Sequence, residues 1–93
     1  MYTHVVVYSL HDPAEAPEVV RRLREMIALA PLVTTLNAGV DISRTPASYD
    51  VGLVTTHPDF EAYESYRTHP FHQDFLAWLL PKIAVRTVVD FDT

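Results

Sequence analysis

Apolar residues recur along this chain with two different periods, and the switches between the periods mark out its elements. Tyr2–Ser9 is β-branched and aromatic, with Val5, Val6 and Val7 at its centre, which predicts a strand that is apolar on both faces. Asp12, Pro13 and Glu15 then form a helix start: a capping carboxylate, a proline in the first turn and an acid two residues later. Val19, Val20, Leu23, Met26, Ile27 and Ala30 follow at helical spacing, with Arg21, Arg22, Arg24 and Glu25 on the other face, and Pro31 ends the helix. Leu36–Ile42 alternates, Leu36, Ala38, Val40 and Ile42 against Asn37, Gly39 and Asp41, as a half-buried strand does. Ser43–Ser48 reads as a loop and Tyr49–Thr56 as a third strand, so the two strands suggest a hairpin.

The second half repeats the theme. Thr56-His57-Pro58-Asp59 resembles a second cap, with Phe60, Tyr63 and Tyr66 or Arg67 at helical spacing after it. Pro70 breaks that helix, because the residue before a proline avoids the α region. A new helical segment carries His72, Phe75, Leu76, Leu79 and Leu80 until Pro81, and Ile83–Phe91 alternates as a last strand. The order βαββαβ predicts an α+β, ferredoxin-like domain: a four-stranded antiparallel sheet with two helices on one face. The other face is then left open. Val51, Leu53, Val85 and Val89 are expected to join the first strand in making it apolar, and monomers rarely expose such a patch. A homodimer, two sheets packed into one α/β barrel, is the expected solution.

Composition supports the dimer and narrows the function. The chain has 93 residues, 48% of them hydrophobic and 11% aromatic, and no cysteine to staple so small a domain. The formal charge is −5 with only seven Lys and Arg, so no nucleic-acid partner is expected. The longest apolar run, Phe75–Leu80, is far too short to span a membrane, and residues 1–93 read as a single domain with no membrane partner. A cytoplasmic location is the default expectation.

Three features carry candidate chemistry: His4 in the first strand, Tyr66, and His69-Pro70-Phe71-His72. His4 shares a strand face with Tyr2, Val6 and Tyr8, and an imidazole works as acid or base near neutral pH. Tyr66 offers a phenol to a carbonyl or enolate oxygen. His69 and His72 are three apart across a proline with no matching carboxylate, so one is expected to brace the break and the other to point between helix and sheet; no metal is expected. Tyr63, Phe71, Phe75 and Trp78 are the candidate apolar lining for a flat or acyl ligand. Each of these residues also has an ordinary reading as core. His57 and His11 read as loop or cap residues. Two glycines make no phosphate-cradling loop, and no nucleophile motif occurs.

Four stretches together resemble the stress-responsive dimeric α/β-barrel (Dabb) domain family: His4-Val5-Val6-Val7-Tyr8, Tyr49-Asp50-Val51-Gly52-Leu53-Val54, Tyr66-Arg67-Thr68-His69-Pro70-Phe71-His72 and Val88-Val89-Asp90-Phe91. The resemblance covers nearly the whole chain, and Tyr-x-x-His-Pro-x-His is its most specific piece. It implies a ferredoxin-like monomer that dimerises into a barrel. One branch, the plant olivetolic acid cyclases, is similar in the same motif and closes a linear polyketide by aldol condensation without a cofactor. That similarity implies His72 as general base, Tyr66 as hydrogen-bond donor to the enolate and His4 as orienting or proton-shuttling group, while a further pocket histidine of that branch falls near Val51 here. Three functions stay open: cofactor-independent proton transfer on a small ligand, a non-catalytic ligand-binding or structural stress-related dimer, and a monooxygenase-like barrel enzyme.

Overall fold

The computed structural model describes all 93 residues. Strand β1 spans Tyr2–Leu10, helix α1 Ala16–Arg24, β2 Thr35–Val40, β3 Val51–His57, α2 Phe60–Thr68, α3 Pro70–Leu79 and β4 Ile83–Asp92. The sheet order is β2-β3-β1-β4, with every neighbouring pair antiparallel. This is the ferredoxin-like arrangement. It places β1, the strand that is apolar on both sides, in the interior of the sheet, with both its edges paired and one face under the helices.

The register decides which side chains meet. Val6 pairs with Leu53 and Tyr8 with Val51, and these join Val19, Val20, Leu23, Phe75 and Leu79 in one buried core between helices and sheet. On the opposite face Val5 stands across from Val54 and Val89, with Val7, Val85 and Phe91 in the same row. The open apolar face is therefore Val5, Val7, Val54, Val85, Val89 and Phe91, not the expected mixture. Val51 and Leu53 belong to the core, because their parity on β3 matches Val6 and Tyr8 rather than Val5.

Helix ends follow local chemistry. The Asp12 carboxylate accepts from the Ala14 amide at 3.0 Å, but it caps a short 3₁₀ turn, Pro13–Glu15, and α1 begins after it. The continuation to Leu29 is also 3₁₀. Thr56 is not a cap: β3 runs on to His57, and Asp59 caps α2 by accepting from the Ala62 amide at 2.8 Å. Strand β2 stops at Val40. Beyond it Asp41 accepts from the Arg44 amide at 2.8 Å and turns the chain, leaving Ile42 94% exposed in the loop. The break at Pro70 is as expected, with Thr68 the last residue of α2. No helix is long and apolar enough to cross a membrane.

Candidate functional site

The polar groups of the pocket between the helices and the sheet come mainly from three elements. From β1 come His4 and Tyr8, alternate residues facing the helices. From α2 come Tyr63, Tyr66 and Arg67, and from α3 His72, Phe75 and Leu76. Their pocket has a volume of about 200 Å³, below the range usual for drug-sized ligands, so it suits only a small one. Five of the residues expected from the sequence meet here: His4, Tyr63, Tyr66, His72 and Phe75. Phe71 and Trp78 do not. Both sit on the side of α3 that faces α1, where Phe71 lies beside Arg22 and Met26 and the Arg22 guanidinium stacks 4.3 Å over the Trp78 ring.

His4 is the histidine held by a carboxylate. Its Nδ1 lies 2.5 Å from Asp90 Oδ1, and the second carboxylate oxygen accepts from the Tyr2 hydroxyl at 2.9 Å. Cross-strand register makes this pair: His4 of β1 stands directly opposite Asp90 of β4. A carboxylate only accepts, so Nδ1 carries the proton and the neutral ring keeps its lone pair on Nε2. No protein group binds Nε2, and it is not sealed off, so it opens on the pocket. The Tyr63 ring lies tilted 5.2 Å from the His4 ring, and its hydroxyl comes within 3.5 Å of Nδ1, too long for a strong bond.

Tyr66 has no protein hydrogen-bond partner for its hydroxyl, although the residue is only 2% exposed. Burial holds its phenol well above the ordinary pKa, so it is a neutral donor near pH 7. His72 packs against it with ring centroids 4.7 Å apart. Burial pushes the His72 pKa down to about 4 against a weaker opposing effect of the Arg67 carbonyl, and its Nδ1 is sealed without a hydrogen-bond partner. His72 is thus neutral at pH 7 and a weak base.

The other histidines separate cleanly. His69 Nδ1 accepts from the Phe71 amide at 3.1 Å and caps α3, so it shares no site with His72. His57 is not a loop residue. It is completely buried at the end of β3, with Nδ1 donating to the Leu32 carbonyl at 2.7 Å and Nε2 2.9 Å from the Thr55 hydroxyl. Its ring fills the gap between Tyr63 and Tyr66, at 5.1 and 4.9 Å.

Sequence reasoning missed Asp90 and Arg86, which also lines the pocket. The signal was in β4. One row of that strand reads Val85, Thr87, Val89, Phe91, and the other Arg86, Val88, Asp90, so both charges share the face turned toward the helices.

From residue 2 to residue 93 the chain matches the stress responsive A/B barrel domain. It belongs to that family. Among solved structures it is similar to a dimeric ferredoxin-like protein of unknown function from Thermobifida fusca, 24% identical, with a TM-score of 0.87 over 99% of this chain and 90% of that one. A protein from Arabidopsis thaliana is 22% identical, with a TM-score of 0.84 over 100% and 95% of the two chains. A hydroxynitrile lyase from Passiflora edulis is 11% identical, with a TM-score of 0.82 over 97% and 90%. At these identities the likeness shows the fold. No curated protein matches. In this member of the stress responsive barrel family, the Tyr66–His72 stretch is the joint between α2 and α3, and the joint serves both ends of the motif: His69 caps the new helix while Tyr66 and His72 face the pocket.

Proposed function

We propose that this chain is a homodimer, joined through its open sheet face, whose pocket performs cofactor-independent proton transfer at a carbon next to a carbonyl group. Polyketide-cyclase-like ring closure is one reaction of that kind. The observation that carries the reading is the meeting of the His4–Asp90 pair with the unengaged Tyr66 hydroxyl around one apolar pocket.

In this reading His4, rather than His72, is the base. The Asp90 carboxylate fixes its tautomer and steadies the cation formed when Nε2 takes a proton. The C–H bond breaks, its electron pair becomes the C=C bond of an enolate, and the negative charge gathers on the former carbonyl oxygen. Tyr66 donates its hydrogen bond there. The enolate then takes the proton back or attacks a second carbonyl carbon. His72, neutral and desolvated, is a polar wall group that orients the ligand. The lyase from Passiflora edulis supports the reading only by showing an enzyme on this fold.

Hydrogen–deuterium exchange tests it. Methyl ketones and β-diketones incubated with the protein in D₂O are expected to lose their α-proton signals faster than in buffer, and His4→Ala or Asp90→Asn should slow that about 100-fold. Ligand binding without any exchange would favour the non-catalytic, ligand-binding dimer.

A further inference from the structure

An acidic chain would be expected to present an acidic pocket, and this one does the reverse. No Asp or Glu lines the cavity, while two arginines, Arg67 and Arg86, do. Arg67 is neutralised by Glu64, with contacts at 3.1 and 2.9 Å. Arg86 is not neutralised by anything. Of the seven Lys and Arg side chains in the chain, five are ion-paired with carboxylates. Arg24 instead binds the Ala38 carbonyl at 3.0 Å. Arg86 alone has neither kind of partner. It stands directly across from Tyr8 on the helix-facing side of the sheet, and the guanidinium lies beside the Tyr8 hydroxyl.

The pocket therefore has two chemically different ends. His4 and Tyr8 are four residues apart on β1, which separates their Cα atoms by roughly 13 Å. At the His4 end the imidazole is engaged by Asp90 from outside the cavity and flanked by Tyr63 within it. The Tyr8 end holds an unpaired cation and a phenol. Between them lie Val6 and Leu53 on the sheet and Phe75 and Leu76 on α3, all apolar. A guanidinium with no carboxylate partner is matched by a planar oxyanion.

We propose that Arg86, with the Tyr8 hydroxyl, forms an anion subsite, so that the ligand of this pocket is a small carboxylic acid whose carbonyl-bearing end reaches the His4–Tyr66 region. This deepens the proton-transfer reading and rests on it for the role of the far end. The acid end itself stands on the unpaired arginine alone. Because Arg86 lies on an exposed edge strand, its attraction for the acid is screened by salt.

Matched probes test the subsite: 5-oxohexanoate and 4-acetylbenzoate, each beside its methyl ester. Ligand-observed NMR titration of the wild-type protein should show each acid binding at least tenfold more tightly than its ester, with the preference shrinking as salt rises from 20 to about 500 mM. Arg86→Gln should bring each acid down to the level of its ester, and Arg86→Lys should restore part of the difference, which separates loss of charge from loss of fold. Equal binding of acid and ester by the wild-type protein, failure of both acids to bind, or an acid preference untouched in Arg86→Gln would overturn the subsite. Exchange of α-protons in D₂O, read in the same samples, keeps the two ideas apart. Arg86-dependent binding of the acids without exchange upholds the subsite and removes the catalysis. Exchange that is equally fast on acids and esters upholds the catalysis and removes the subsite.

Discussion

At the scale of single residues, the most informative atom is the hydroxyl of Tyr66. It sits on a residue that is almost wholly buried, and no protein group hydrogen-bonds it. A phenol kept only for packing gains nothing from that oxygen, so Tyr66→Phe separates structure from chemistry. Thermal stability is expected to change by less than about 0.5 kcal/mol, since the substitution removes no protein hydrogen bond. Exchange at the α-carbon is expected to fall roughly 100-fold, the loss typical of one oxyanion donor. A stability loss of several kcal/mol with exchange intact would make Tyr66 a core residue and nothing more. The contrast with Asp90 shows what the sequence could and could not convey. Tyr66 and His72 are visible because they lie in one short motif. The partner of His4 lies 86 positions away, and only the β1–β4 register brings the two together. A carboxylate inside an alternating strand looks like solvent-facing text until its parity is compared with that of its neighbours.

At the scale of elements, the strands were legible wherever alternation was clean, and the errors lay in their ends and in which row of β3 faces the helices. β3 shows why. Val51, Leu53 and Thr55 form its inward row, and His57 is simply the next member, yet the Pro58 that follows makes it look like a cap. Its burial, and that of His72 on α3, has a consequence for the whole fold in acid. Burial depresses the pKa of both rings in the folded protein, that of His72 to about 4. An unfolded chain returns them to the ordinary value near 6.5, so between pH 6.5 and about 4 the unfolded state binds more protons. Stability is therefore full above pH 6.5 and declines as pH falls through that window. Much of the window lies above the range in which the paired carboxylates of Glu18 and Glu64 titrate. Denaturant melts at pH 7.5, 6.0 and 5.0 should show a falling midpoint in the wild-type protein and a flatter profile in His72→Phe. A midpoint unchanged from pH 7.5 to 5.0 would mean that these rings are not held neutral by the fold.

At the scale of the whole molecule, the two faces of the sheet divide the labour. One carries the pocket and packs under α1, α2 and α3, except along β4, where Arg86, Val88 and Asp90 stay exposed. The other leaves Val54, Val85, Val89 and Phe91 between 37% and 56% exposed around Val5 and Val7, a continuous apolar surface on a single chain. The dimeric relatives show that this fold pairs. The open face is where the pairing of this chain would bury most apolar area. A two-fold axis through it repeats every contact, so one substitution acts twice. Val89→Asp places a charge at the middle of β4 on that face, and burying two such carboxylates against each other is strongly unfavourable. In analytical ultracentrifugation the wild-type protein is expected to sediment at twice the chain mass at micromolar concentration. Val89→Asp should move it to the monomer, with the dissociation constant raised at least 100-fold. The effect should also reach the pocket from behind. Asp90 and Arg86 are held by β4, the edge strand that alternates between both faces, and an edge strand without its covering partner frays. The monomeric variant is thus expected to lose α-proton exchange and acid binding together, although the Val89 side chain points to the face opposite Asp90 and Arg86. A wild-type protein that is monomeric at these concentrations would remove the dimer, and an active monomeric variant would show that β4 holds its two charged residues in place unaided.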